Sequence, residues 1–126
     1  MQFEDLKLKR QFLNALHDLG YVQPTQVQMQ TIPRILAGQD LIGVAQTGTG
    51  KTGVFLITAA DKLLKLAQEG KNKGVQCIIL APTRELAMQI DEECKLIIKP
   101  LGLKSLAVYG GVDYERQAKE LQKGVD

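Results

Sequence analysis

Tryptophan is absent, and three phenylalanines with three tyrosines are the only aromatic residues among 126. Aliphatic side chains must therefore fill most of any core, and an apolar share of 44% against 24% charged residues supplies enough of them. An excess of charge of one sign is also lacking. A net charge of +2 is too small to argue for nucleic acid or a membrane surface, so any basic footprint has to be local. No run of about 18 apolar residues occurs, which excludes a spanning helix of that kind. The opening MQFEDLKLKR mixes acids and bases without an apolar stretch, unlike a secretory signal. Only two cysteines are present, Cys77 and Cys94, and they fall in a predicted strand and a predicted helix. They read as small buried hydrophobes rather than a metal or redox pair, and a reducing, cytoplasmic setting fits. The single histidine, His17, lies on the polar side of a predicted helix and is expected to be solvated.

The length suits one domain. Phe12, Leu13, Leu16 and Leu19 recur at helical spacing before Gly20 and predict a first helix over 9–19. Thr25 is a good N-cap for a second helix running to Leu36, which Pro33 should kink or restart. Gly38-Gln39-Asp40 reads as a turn. Element types then alternate. A short apolar strand over 41–45 leads into a glycine loop and a helix over 51–68, and the polar GKNKG turn follows. The continuous apolar run 75–81 has the character of a strand covered on both faces. Leu86, Ala87, Ile90, Cys94 and Ile97 form a helical stripe that ends at Pro100–Gly102. A third strand over 105–109, the Gly110-Gly111 loop and a last helix over 113–123 complete the chain. Such alternation predicts an α/β fold with right-handed crossovers and a parallel sheet flanked by helices.

The stretch Ala45-Gln46-Thr47-Gly48-Thr49-Gly50-Lys51-Thr52 follows the first predicted strand. Two glycines can take positive φ, so the loop can fold round a cluster of oxygens with its N–H groups turned inward. The helix beginning at Lys51 directs its positive dipole end to the same place. Lys51 adds a full charge for the β- and γ-phosphates, and the Thr52 hydroxyl can ligate Mg²⁺. Ala45 stands where the usual G-x-x-x-x-G-K-[ST] pattern has its first glycine. Strand before and helix after are the context that a phosphate loop requires. This predicts nucleoside triphosphate binding and leaves open what the energy drives.

Upstream, Gly20-Tyr21-Val22-Gln23-Pro24-Thr25-Gln26-Val27-Gln28 ends in a glutamine at the start of a helix. A side-chain amide donates and accepts at once, as reading the N6 and N7 edge of adenine requires. With these residues in view the sequence resembles the DEAD-box RNA helicases. GYVQPTQVQ is similar to that family's Q motif, AQTGTGKT to its motif I, PTRELA within APTRELAMQ to its motif Ia, and Gly110-Gly111 to its GG motif. Phe3 lies 17 residues before Gly20, where the family keeps an isolated aromatic. Two positions depart from the pattern. Gln26 stands where the family usually has an apolar or small residue, and Gln23 where it is frequently basic.

The resemblance implies that residues 1–126 are part of a RecA-like ATP-binding domain, with a Q-motif region over 1–38 and the P-loop, motif Ia and GG region over 39–126. It implies ATP and Mg²⁺ as cofactors. Gln28 would bond adenine, Tyr21 would stack on the base and Gln23 would lie close by. Ala45, Gln46, Thr47, Gly48, Thr49, Gly50, Lys51 and Thr52 would hold the phosphates, with Thr52 on the Mg²⁺. Pro82, Thr83, Arg84, Gly110 and Gly111 would meet the RNA backbone with little sequence preference. For Tyr21, Gln28, Arg84 and the glycine pair, packing, solvation, a surface ion pair with Glu85 or Glu92 and a plain turn are the competing roles. The family's DEAD and SAT sequences and its second RecA-like domain are not found in this sequence. The carboxylates and arginines that phosphoryl transfer needs are therefore lacking. The segment is expected to bind without turnover or unwinding, and to self-associate through bare strand edges or pair its strands in an altered way. A non-catalytic binding protein or regulator, and another class of P-loop ATPase, are the alternative readings.

Overall fold

Phe3 and Leu6 begin the fold in one 3₁₀ turn, Phe3–Leu6, with both side chains buried. The structure, a computed structural model, describes residues 2–126. They form two units, one through Lys62 and one from Leu63 to Asp126.

In the first unit, α1 (Arg10–Asp18) buries Phe12, Ala15 and Leu16, the one-face spacing of an amphipathic helix. Its end is closed by two bonds, Gly20 N–H to the His17 carbonyl and Tyr21 N–H to the Leu16 carbonyl, both at 2.9 Å. That closure sets where Tyr21 emerges. α2 (Gln26–Leu36) starts at the Thr25 cap and lies against the Phe3–Leu6 turn. It runs through Pro33 without a break, so the expected restart does not occur. Pro33 stands near the helix end, where the bond it removes is one of few remaining. α3 (Lys51–Gln68) has the predicted bounds; it begins in this unit, where its Val54, Leu56, Ile57 and Ala60 are buried, and its last residues belong to the second. Asp61 of α3 is fully buried and accepts from the Lys9 N–H at 3.2 Å, which anchors the start of α1.

In the second unit, α4 (Arg84–Ile98) buries Ile90, Ile97 and Ile98. A short turn, Lys99–Leu101, follows and buries Leu101. The front of the predicted stripe is less covered, with Leu86 37% exposed. α5 (Tyr114–Gln122) buries no residue and is started by the Asp113 carboxylate, which accepts from the Glu115 N–H at 3.0 Å.

The predicted strands are the main correction. Among the described residues none is in a β-strand, and 41–45, 75–81 and 105–109 carry no ladder of backbone hydrogen bonds. Ile78 is 78% exposed and Leu80 90%, so the 75–81 run is not covered on both faces as expected, and Ile42 at 96% and Val44 at 94% leave the 41–45 run bare as well. The backbone bonds of the second run are isolated ones, Gln76 and Cys77 N–H to the Asp126 carbonyl at 2.8 and 3.1 Å. Apolar β-branched composition favours a strand, but a strand exists only where a neighbour presents N–H and C=O groups in register. Those neighbours are lacking at these runs. No helix among the described residues is long and apolar enough to cross a membrane.

Candidate functional site

Gln28 is the third residue of α2 and is 4% exposed. Its Oε1 accepts from the Thr25 N–H at 3.0 Å, and Thr25 Oγ1 accepts in return from the Gln28 N–H at 3.4 Å. This reciprocal capping box fixes the side chain. Its Nε2 then donates to the Gly50 carbonyl at 3.2 Å, 22 residues along the chain. A Cβ on Gly50 would lie 2.8 Å from that Nε2 and 2.9 Å from Thr25 Oγ1, and one on Gly53 would lie 2.5 Å from Nε2. Only a residue without a side chain admits so close an approach. Helix cap and glycine loop are therefore one packed assembly. The amide still has one N–H and one acceptor lone pair uncommitted by these bonds.

Tyr21 is half-buried, its ring edge-on to Phe3 with centroids 6.1 Å apart and planes at 74°. The isolated upstream aromatic thus props Tyr21, a contact between residues 18 positions apart in the chain. Gln23 is exposed beside a buried Pro24.

The loop itself is exposed at Gln46, Thr47, Gly48 and Lys51 and half-buried at Ala45, Thr49, Gly50 and Thr52. Gly48 and Gly50 sit at φ 83° and 90°, conformations that L side chains rarely adopt. Thr49 Oγ1 donates to the Gln46 carbonyl at 2.6 Å, and Lys51 Nζ donates to the Ala45 carbonyl across the loop. Among the described residues, no hydrogen bond uses the backbone N–H of residues 46–50. The first turn of α3 contains no acid, so nothing offsets its dipole there. Uncommitted amides, a helix start and an ammonium in one exposed loop suit a polyanion. Thr52, on the first turn, is the hydroxyl that would reach Mg²⁺. Among the described residues no three His, Cys, Asp or Glu side chains cluster to hold a metal.

In the second unit, Pro82, Thr83 and Arg84 are exposed, and Thr83 caps α4 by accepting from the Leu86 N–H at 3.1 Å. Arg84 faces two partners. Its Nε is 3.8 Å from Glu85 Oε1, a long exposed pair worth little. Its guanidinium lies 6.0 Å from the centroid of the Tyr109 ring. A Cβ on Gly111, which has φ 79°, would lie 3.4 Å from Arg84 Nη1. Gly111 of the glycine pair and Arg84 of PTRELA are thus brought together, whereas a Cβ on Gly110 would meet nothing within 4 Å. Sequence reasoning missed Tyr109 and Gln117, whose amide bonds both backbone groups of Tyr109. Its one sequence signal is its place one turn beyond the Asp113 cap.

Cys77 and Cys94 are free and half-buried, not core residues as expected. Burial pushes both thiols up, more than offsetting the Ser105 hydrogen bond at Cys94. His17 is exposed, 3.9 Å from Asp18.

A family model described as DEAD/DEAH box helicase matches residues 25–126. The ATP-dependent RNA helicase RhlB of Pasteurella multocida (strain Pm70) is 46% identical over 128 aligned positions, covering 100% of this chain and 30% of that protein. The crystal structure of the RNA helicase Prp28 from Chaetomium thermophilum, bound to ADP, is similar with TM-score 0.81 and 42% identity over 96% of this chain and 30% of its own. A DEAD box protein from the hyperthermophile Methanococcus jannaschii matches with TM-score 0.83 and 35% identity over 99% of this chain and 33% of its own. The chain therefore spans about a third of the length of these relatives.

Proposed function

Because the chain belongs to the DEAD/DEAH box helicase family, we propose that it is the nucleotide-binding and part of the RNA-binding portion of an ATP-dependent RNA helicase. The observation that carries this is the Gln28 Nε2 bond to the Gly50 carbonyl, which joins the adenine-reading candidate to the phosphate loop. Lys51 and the 46–50 amides would hold the phosphates, Thr52 the Mg²⁺, and Gln28 with Tyr21 and Gln23 the base. When bound, Mg²⁺ would neutralise phosphate charge. In this reading residues 1–126 belong to one RecA-like ATP-binding domain, Q-motif region 1–38 followed by 39–126. The runs 41–45, 75–81 and 105–109 become strands when further segments of the family's parallel sheet pair with them. The solved neighbours at TM-scores 0.81 and 0.83 support this.

Pro82, Thr83, Arg84, Gly110 and Gly111 would contact RNA backbone, supported by the approach of Arg84 to Gly111. Backbone contacts carry no base information, so sequence preference would be slight. A reducing, cytoplasmic setting belongs to the same reading. Residues 1–126 include no D-E-A-D sequence. By itself this segment would bind ATP without turning it over, because the carboxylates that hold Mg²⁺ and place water in phosphoryl transfer are lacking.

Titration with labelled ATP and GTP tests the reading. Lys51→Ala should weaken binding of both by about tenfold or more, the scale of one charge-assisted contact. Gln28→Ala should narrow the preference for ATP over GTP. Wild-type chain that is folded and binds neither nucleotide would defeat the proposal, as would steady ATP hydrolysis defeat its claim on turnover.

A further inference from the structure

Tyr109 immediately precedes the glycine pair, and its backbone is held from both sides by one side chain. Gln117 Oε1 accepts from the Tyr109 N–H at 3.0 Å, while Gln117 Nε2 donates to the Tyr109 carbonyl at 3.2 Å. A primary amide here supplies the donor and acceptor that a paired strand would present to that residue. Gln117 is itself held in α5, its N–H donating to the Asp113 carbonyl at 3.3 Å. Asp113 in turn caps that helix through the Glu115 N–H. The loop Gly110-Gly111-Val112-Asp113 is therefore pinned at both ends, at Tyr109 by the amide and at Asp113 by the cap. On the same short segment, the Tyr109 ring lies under the Arg84 guanidinium and Gly111 lies against Arg84 Nη1.

We propose that Gln117 is a positioning residue for the RNA backbone: by clamping Tyr109 it sets the orientation of Gly110 and Gly111 and of the Arg84 guanidinium that rests on Tyr109. This rests on the RNA-binding reading above and adds to it a residue with no phosphate contact of its own. Arg84 is half-exposed and its ion pair with Glu85 is long, so neither burial nor that pair fixes its direction. The Tyr109 ring is the remaining support, and the amide clamp holds the backbone that carries the ring. α5 buries no residue, so α5 contributes little core whose loss would confuse the test.

The test compares wild type, Gln117→Met, Gln117→Glu and Arg84→Ala for affinity to a labelled single-stranded oligouridine and, separately, to labelled ADP. Met keeps the length and helix propensity of Gln and removes both bonds, while Glu keeps the acceptor and removes the donor. Both substitutions should weaken oligouridine binding by about tenfold and change ADP binding by less than about twofold, and Gln117→Met, which removes the acceptor of the Tyr109 N–H, should also speed amide exchange at Tyr109. Unchanged oligouridine affinity in both Gln117 variants, with Arg84→Ala weakened, overturns the clamp and leaves the RNA reading standing. Equal loss of ADP and oligouridine affinity makes Gln117 a folding residue and also overturns it. Wild type that binds ADP but not oligouridine removes the RNA reading and the clamp together.

Discussion

Gln28 shows how one side chain can satisfy a helix cap and a loop at once. Its oxygen takes the Thr25 N–H and its nitrogen reaches the Gly50 carbonyl, with one donor and one acceptor left over. A carboxylate at this position would keep the cap and lose the bond to Gly50, and an alanine would lose both. Phe12 stands at the other extreme, with 0% exposure and no polar role. Phe12→Ala should cost about 3–5 kcal/mol of unfolding free energy through lost transfer energy and a cavity. Urea denaturation followed by circular dichroism measures it; a loss below about 1 kcal/mol would mean that the site collapses freely or is not core. At this scale the positive-φ glycines of the 45–52 loop, Gly48 and Gly50, were legible in sequence, since glycine acts through its local backbone. Tyr109 and Gln117 were not, because an amide clamp leaves no pattern of periodicity or composition.

Helices were the elements best read from sequence. The 51–68 expectation coincides with Lys51–Gln68, and the first, fourth and fifth helices differ from expectation only at their ends. Caps explain this. Thr25, Thr83 and Asp113 each accept from an N–H two or three residues on, a local interaction that sequence displays directly. α5 depends on its cap most, since it buries nothing. Asp113→Ala should destabilise that helix by about 1 kcal/mol and raise amide exchange across Tyr114–Gln122 several-fold. Exchange unchanged from wild type would show that packing, not the cap, holds it. Strands are non-local by contrast. The apolar runs 41–45, 75–81 and 105–109 have the right residues, yet their hydrogen bonds depend on partners that local sequence does not supply.

Across the whole molecule, exposed apolar runs are the feature with the largest physical consequence. Ile42, Val44, Ile78 and Leu80 are each at least 78% exposed. Unpaired, β-prone and uncharged segments of this sort invite edge pairing. The chain as it stands should therefore self-associate, and light scattering should give a mass that rises with concentration above that of one 13.9 kDa chain. Ile42→Lys with Leu80→Lys should lower it by placing charges on the bare edges. A concentration-independent monomer in the wild type would refute this.

The sequence by itself determined the helices, their caps, the glycine loop and the family, because each is written in contiguous residues or in short motifs that act through nearby backbone. Tertiary structure alone decided that Gln28 meets Gly50, that Phe3 props Tyr21 and that Arg84 shares Tyr109 and Gly111 with the Gln117 clamp. It also decided that three strand-like runs carry no ladder. These outcomes turn on which groups approach within hydrogen-bonding or van der Waals distance across many residues of chain, and short-range pattern carries no information about that approach.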